Sequence, residues 1–411
     1  MRKRRPLLII LALLLVFLGL NSYVLSGLRL LFPSPIFIGG FWLFIFGIMV
    51  LFGLALGRMR SGGMGGLFKV ATHSFLILLA ASLGFAAVLC ATDIYRFFYA
   101  LTDSVSAGAF ILPARSLYSI LFALLIFGLI IALFIHGMWR GKYAYRVIRH
   151  NLSFDSLPAA FDGFRIVQIS DVHAGSFTRP KAVQRGIDLI KQQQADLFVF
   201  TGDLVNNRAE EMAPWLSLFS QIRAPYGQFS VLGNHDYGDY VSWPSEAAKQ
   251  QNLEQLKQYH ADIGYRLLLD EHTLIRREGA ELVLAGVENW GLGFGERGDL
   301  KKALAGAPPE AFKVLLSHDP SHWESEVKHY PSPVQLTLSG HTHGMQFGLE
   351  TFGIKWSPVK YRYPHWAGLK ETMGRVLNIN RGFGFLGFSG RVGIWPEITV
   401  ITLKANKNSS F

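Results

Sequence analysis

Hydrophobic residues are distributed along this chain in two different ways. Ahead of residue 150 they form long runs, at about 7–26, 35–57, 70–91 and 117–137. Each run approaches or exceeds the roughly 20 residues that cross a bilayer as a helix, so the pattern predicts four transmembrane helices. A cleavable signal peptide does not account for the first run, which is longer than an ordinary signal core and leads to no small-residue cleavage site before a soluble domain. Beyond residue 162 the runs shorten to strand length. FRIVQIS, ADLFVF, QFSVL, FKVLLS and VQLTLS each end in a polar or glycine-rich turn, the way an α/β sheet delivers functional side chains to one edge. These patterns divide the chain into a transmembrane region over 1–137, a connector over 138–161, an α/β domain over 162–404 and a tail over 405–411. The connector starts basic and ends in NLSFDSLPAAFDG, whose Pro and Gly mark a domain entry. Residues 237–262 read as a loop followed by an amphipathic helix.

The residues just after each short run carry the chemistry. In chain order they are Asp171-Val172-His173, Gly202-Asp203, Gly233-Asn234-His235-Asp236, His318, and GHTHG with His341 and His343. A lone D-x-H or G-D turn is common, and an isolated histidine is more often a hydrogen-bonded core residue than a ligand. Five such units in order, each at a strand end, agree across levels. Two divalent cations a few ångströms apart need a shared carboxylate and mixed oxygen and imidazole ligands. Asp203 is the natural bridge. Alternate residues leaving a strand point the same way, so Asp171 and His173 can grip one ion together. His341 and His343 can do the same or divide between two ions. Asn234 supplies a neutral carbonyl ligand, and His235 is left over.

D-x-H, G-D, G-N-H-D, H and G-H-x-H in this order resemble the calcineurin-like metallophosphoesterase superfamily, in a bacterial membrane-anchored form, over about residues 162–404. The resemblance implies a pair of β-sheets packed face to face and flanked by helices, with a binuclear centre at the strand ends. It implies one ion held by Asp171, His173, Asp203 and His343, and the other by Asp203, Asn234, His318 and His341. Mn, Fe and Zn all suit such ligands. It further implies attack of a metal-bridging hydroxide on the phosphorus of a phosphate ester, with His235 near the leaving group and Asp236 orienting or polarising it. No ligand position departs from the pattern. A phospholipid-type or nucleotide-type ester is the expected substrate. The competing class is a membrane sensor or scaffold whose metal domain only binds a ligand, and such a module has no need of a leaving-group histidine.

Charge sharpens the partition. The chain holds 40 Lys and Arg against 29 acidic residues, a formal net charge of +11, yet residues 1–150 hold 14 of those cations against only Asp93 and Asp103. The excess therefore belongs to membrane flanks and offers no argument for nucleic-acid binding. The basic N-terminus, the loop with Arg58, Arg60 and Lys69, and the segment with Arg140, Lys142, Arg146 and Arg149 alternate with poorer loops. That alternation places the N-terminus and the α/β domain on the cytoplasmic side, and the resemblance implies that the membrane is a bacterial inner membrane. Cys90, the single cysteine, reads as a small membrane-buried hydrophobe. Residues 345–375 combine Phe347, Phe352, Trp356, Tyr361, Tyr363 and Trp366 with Lys355, Lys360 and Arg362. A loop packing its aromatics on the core is the expectation, and a lip at lipid headgroups the alternative. RGFGFLGFSGR at 381–391 reads as a turn between strands, with Arg381 a candidate substrate contact. No P-loop is present, and no G-x-G-x-x-G opens a predicted helix as a Rossmann fingerprint would. His260, His272, His322 and His365 read as structural.

Overall fold

A computed structural model describes residues 4–62, 66–351 and 353–406. Met1, Arg2 and Lys3 of the basic N-terminus, Phe352 of the aromatic segment, the side chains of Arg58 and Arg60, and residues 407–411 of the expected tail lie outside the described residues. The chain divides into two units, Met1–His136 and Gly137–Phe411.

The first unit is helical, with α1 (Arg4–Leu28), α2 (Pro35–Gly62), α3 (Gly66–Ala107) and most of α4 (Leu117–Trp139). Stretches of α2, α3 and α4 are long and apolar enough to cross a membrane; the apolar part of α1 among the described residues, Leu14–Leu28, is shorter. Val24, Leu28, Phe85, Leu89, Ile120 and Ala123 bury one another where α1, α3 and α4 meet. Cys90 faces outward from α3, which in a membrane means toward lipid. Helix α3 departs from expectation. It runs 42 residues, roughly 60 Å at 1.5 Å per residue, because the apolar run over 70–91 marks a candidate span and not where helical hydrogen bonding stops. Past that run Asp93 accepts from Tyr23 Oη at 2.8 Å and pairs with Arg96 and Arg115, each at 2.5 Å, joining α1, α3 and the segment just before α4.

The second unit is built on β1 (Arg146–Phe154), β2 (Arg165–Ile169), β3 (Leu197–Thr201), β4 (Gln228–Val231), β5 (Arg266–Leu267), β6 (Glu271–Arg277), β7 (Ala280–Gly286), β8 (Trp290–Gly291), β9 (Gly295–Glu296), β10 (Lys313–Leu316), β11 (Leu336–Ser339), β12 (Leu349–Thr351), β13 (Ile354–Trp356), β14 (Gly368–Thr372), β15 (Arg375–Ile379) and β16 (Glu397–Ala405). They form two six-stranded sheets, ordered β1-β16-β2-β3-β4-β5 and β14-β15-β11-β10-β7-β6, and two separate hairpins. Strands β2, β3 and β4 run parallel in the first sheet, and β7, β10, β11 and β15 in the second. Their carboxyl ends therefore share one edge of each sheet.

Side-chain alternation explains why continuous apolar runs are strands here. Ile166, Leu197, Val199, Leu282, Leu284, Val314, Leu316, Leu336 and Leu338 point between the sheets. Their neighbours Val167, Phe198 and Phe200 face helices α5 (Pro180–Gln192) and, past the short α6 (Leu216–Phe219), α7 (Glu246–Asp262). Val283, Ala285 and Leu315 face the layer carrying α8 (Leu300–Ala303) and α9 (Ser321–Ser325). The amphipathic helix expected within 237–262 is α7, whose start is capped by the Ser245 hydroxyl accepting from Ala248 N.

The segment 138–161, expected as a connector, is part of this unit. Its strand β1 pairs in parallel with β16 along its whole length, from Arg146 opposite Glu397 to Phe154 opposite Ala405, so the expected tail also begins inside a strand. No local pattern reveals a pairing between residues some 250 positions apart.

Near the site edge the two sheets are bridged by a buried polar side chain. Gln168 of β2 donates to Thr201 Oγ1 at 3.0 Å and to the Ser339 carbonyl at 2.9 Å, and accepts from Asn378 Nδ2 at 2.8 Å. Gln168→Leu keeps the volume and orphans its partners, at about 1–3 kcal/mol for each buried group left unpaired. Thermal melting of the detergent-solubilised protein is expected to fall by roughly 5–10 °C; an unchanged midpoint would show that the bridge is dispensable.

Candidate metal centre

Each of the five expected units lies where the sequence pattern puts it, at the carboxyl end of β2, β3, β4, β10 or β11. The chain leaves these strands through unusual backbone. Asp171, His173, Asp203, His341 and His343 all have positive φ, between 47° and 70°, a left-handed conformation that non-glycine residues rarely hold outside functional sites. Glycine is required where the β3 and β4 turns cross. A Cβ on Gly202 would lie 2.6 Å from Gly233 N, and one on Gly233 would lie 2.2 Å from Asp203 Oδ1.

These turns bring the ligand-type atoms together. Asp171, His173 and His343 form one group with donor atoms within 4.8 Å of one another; Asp203, His318 and His341 form a second. Asp203 Oδ2 stands between them, 3.5 Å from His173 Nε2 and 3.3 Å from His318 Nε2. Within the first group His343 Nε2 is 3.2 Å from Asp171 Oδ1 and 3.0 Å from His173 Nε2. Asn234 Oδ1 reaches His341 Nδ1 at 2.9 Å, while its Nδ2 donates to Tyr240 Oη at 2.8 Å. Asp171, His173, Asp203, Asn234, His318 and His343 are buried. His318 Nε2 is buried without a hydrogen-bond partner, while its Nδ1 lies 2.7 Å from the Thr201 carbonyl. An imidazole nitrogen orphaned beside a carboxylate suits a cation between them.

Electrostatics point the same way. Burial raises the carboxyl pKa of Asp171, but the facing His343 and His318 outweigh it and hold that group below the ordinary range. Burial also opposes ionisation of Asp203, and His318 and His235 overcome it. His318 is lowered by burial and raised by more through Asp203, to about 10. Burial keeps His173 and His341 below their ordinary value, hence neutral. Anionic carboxylates beside the neutral imidazoles of His173 and His341 suit a divalent transition-metal site, and at His318 the Asp203 carboxylate favours positive charge that a metal ion would supply in place of the proton.

Two expected roles are corrected. Asp236 does not orient His235. Its carboxylate accepts from the backbone N–H groups of Asp203, Leu204, Val205 and Gly233 at 2.8–3.2 Å, and so shapes the turn that presents Asp203. Instead the His235 ring is held by the Asn206 carbonyl, 2.7 Å from Nδ1. Arg381 is committed elsewhere, to Glu350 at 2.7 Å and Glu397 at 2.5 Å.

Other contacts were not visible in the sequence pattern. Asp319 lies 3.3 Å from His341 Nε2 and accepts from Tyr363 Oη at 2.9 Å. Arg391, fully buried, approaches His343 Nδ1 at 3.2 Å and donates to the carbonyls of Gly382 and Gly384. Asp319 directly follows His318 in SHDP, and that adjacency was its only signal; Arg391 closes the glycine-rich 381–391 turn with none. His260, His272 and His322 bond within the fold, to Ser230, the Ala303 carbonyl and Ser317, and His365 lies 3.2 Å from the Gly368 carbonyl.

A cavity of about 530 Å³ is lined by His173, Asp203, Asn234, His235, His341 and His343 together with Arg362 and the apolar side chains of Phe294, Met345, Val359, Tyr361 and Tyr363.

Residues 164–345 match the family model for calcineurin-like phosphoesterase, and residues 3–142 match that for a probable calcineurin-like phosphoesterase transmembrane domain. The chain is similar to the uncharacterized metallophosphoesterase YkuE of Bacillus subtilis, 30% identical over 62% of this chain and 84% of that one. It is also similar to the phosphodiesterase YaeI of Escherichia coli, at 29% over 63% and 88%, and to the UDP-2,3-diacylglucosamine pyrophosphatase LpxG of Chlamydia trachomatis, at 30% over 58% and 83%. Donor geometry and sequence likeness converge: this chain belongs to the calcineurin-like metallophosphoesterases, metal-dependent hydrolases of phosphate esters, and does so as a membrane protein.

Proposed function

We propose that the second unit is a binuclear phosphoesterase, one ion held by Asp171, His173, Asp203 and His343 and the other by Asp203, Asn234, His318 and His341. The observation that carries this reading is the position of Asp203, whose carboxylate lies between two separate donor groups. Two Mn, Fe or Zn ions there would supply Lewis-acid charge for the phosphate oxygens and lower the pKa of an attacking water. The chain's own residues do the rest. The His235 backbone N–H fixes Asp203 Oδ1 at 2.9 Å, leaving Oδ2 for the centre. A carbonyl can only accept, so Asn206 keeps a proton on His235 Nδ1 and leaves Nε2 to serve the cavity. Protonated there, His235 is placed to give that proton to a departing oxygen.

Asp319 is a positioning residue. It faces Nε2 of His341, whose Nδ1 points at Asn234, so a proton on Nε2 frees Nδ1 for an ion. The substrate is a phosphate ester, and a phospholipid-type ester suits the apolar residues on the cavity lining. LpxG, named for a diacylated sugar nucleotide, supports the same choice. We further propose four membrane spans and a catalytic unit facing the cytoplasm from a bacterial inner membrane, on the alternation of basic loops.

The decisive assay is hydrolysis of an aryl phosphodiester and an aryl phosphate by full-length protein with Mn²⁺ or chelator. Turnover is expected to vanish with chelator and in Asp203→Asn. His235→Ala is expected to lower kcat by roughly 10²–10⁴-fold with bound metal unchanged by elemental analysis; full activity in that variant would remove His235 from the mechanism. Asp319→Asn should weaken metal affinity by about 10–100-fold, read by competition with a chromogenic chelator, and equal affinity would reduce Asp319 to a packing role. A reporter fused after Phe411 should be active only in the cytoplasm; activity outside it would reverse the topology.

A further inference from the structure

The aromatic segment after GHTHG divides in a way neither expectation anticipated. Tyr363 and Trp366 are buried with Val359, Ala367 and Ile394, as a core-packed loop requires. Met345 and Tyr361, on the cavity lining, remain 57% and 79% exposed. Between them in sequence lies the β12–β13 hairpin, and its polarity is inverted. The pair Glu350–Lys355 turns toward the domain, where Glu350 meets Arg381 and Lys355 donates to the Ala367 carbonyl. The alternate residues Leu349 and Ile354 are 44% and 54% exposed. A hairpin stabilised only against water would carry the opposite pattern.

Flanking the exposed Tyr361 in sequence are Lys360 and Arg362. Lys360 lies over the Tyr361 ring and Arg362 bonds the Leu292 carbonyl, and neither forms an ion pair among the described residues. Aliphatic and aromatic side chains flanked by unneutralised cations match the layer where acyl chains meet lipid phosphates. The chain's own apolar helices guarantee a bilayer as a tethered neighbour of this unit. Soluble surfaces seldom group large apolar residues in this way without a partner.

We propose that the β12–β13 hairpin, with Met345 and Tyr361, is a bilayer-docking surface that opens the cavity to a phosphate ester resident in the leaflet. The phosphate reaches the ligand groups while the ester's acyl part stays along the apolar wall. The docking surface stands on exposure and polarity alone; the substrate class rests on the phosphoesterase reading.

The test uses full-length protein in phospholipid nanodiscs, where both leaflets are reachable. In a Cys90→Ala background, Ile354→Cys and, as a control on the exposed β6, Arg276→Cys carry an environment-sensitive fluorophore, with spin-labelled lipid as quencher. Quenching is expected at 354 and not at 276; equal, weak quenching at both overturns the surface, as does protection of 354 only when protein concentration drives a second copy onto it. In parallel, Ile354→Glu is assayed on bis-p-nitrophenyl phosphate and on a diacylglycerol p-nitrophenyl phosphodiester in the disc. Burying one such side chain implies about a tenfold or greater loss on the lipid ester, with the soluble ester unaffected, which also shows that the variant is folded. If wild type hydrolyses neither ester, the phosphoesterase reading fails while quenching still decides the surface. An equal effect on both esters, without quenching, overturns the docking proposal and leaves that reading intact.

Discussion

Two carboxylates, Asp171 and Asp203, must stay ionised although their side chains are almost wholly buried, and the catalytic unit is organised around that requirement. A bare buried ion costs several kcal/mol. Relief comes from elements that neither residue owns. Asp171 leaves β2 of one sheet and is met by the His341 N–H and the His343 ring from β11 of the other. Asp203, from β3, is met by His318 from β10 and by the His235 N–H from the β4 turn. Charge balance at the site and docking of the two sheets are thus one event, and the Gln168 bridge near the same edge serves both.

The second constraint is distance. Side chains delivered by five strands can converge only if the chain turns sharply as each strand ends, and the turns that achieve this are left-handed at five ligand-type residues. Such conformations cost of order 1 kcal/mol or more each. They persist because surrounding bonds overdetermine them. Asp236, with four backbone N–H groups on its carboxylate, holds the Asp203 turn, and the Thr342 hydroxyl ties GHTHG to the Trp366 carbonyl at 2.7 Å. Glu211, accepting from Asn206 N at 2.6 Å, steadies the carbonyl that orients His235. Much of the polar apparatus here therefore acts on backbone, one step removed from the phosphate.

Exposed apolar surface is distributed unevenly across the protein. Helices α2, α3 and α4 expose many large apolar residues, as membrane spans do, whereas the second unit exposes few, among them Met345 and Tyr361 on the cavity lining and Leu349 and Ile354 on the β12–β13 hairpin. The polar interior of the site and the apolar residues on its cavity lining are what the proposed lipid-type ester rests on.

The amino-acid sequence by itself determined every element whose cause is local. A buried strand needs only a short apolar run, so β2, β3, β4, β10 and β11 lie where FRIVQIS, ADLFVF, QFSVL, FKVLLS and VQLTLS predict them. The metal motifs were legible because donor chemistry and strand ends coincide in sequence. What depends on partners distant in the chain was decided only by tertiary structure. The pairing of β1 with β16 drew the connector into the domain; Asp236 turned from His235 to the β3 turn because four N–H donors converge on it; Asp319 and Arg391 reached His341 and His343 through loops with no motif of their own. The inverted β12–β13 hairpin belongs with these. Its alternation of Leu349, Glu350 and Thr351 suits either face, and the acceptors that draw Glu350 and Lys355 inward, Arg381 and the Ala367 carbonyl, exist only once the domain has folded.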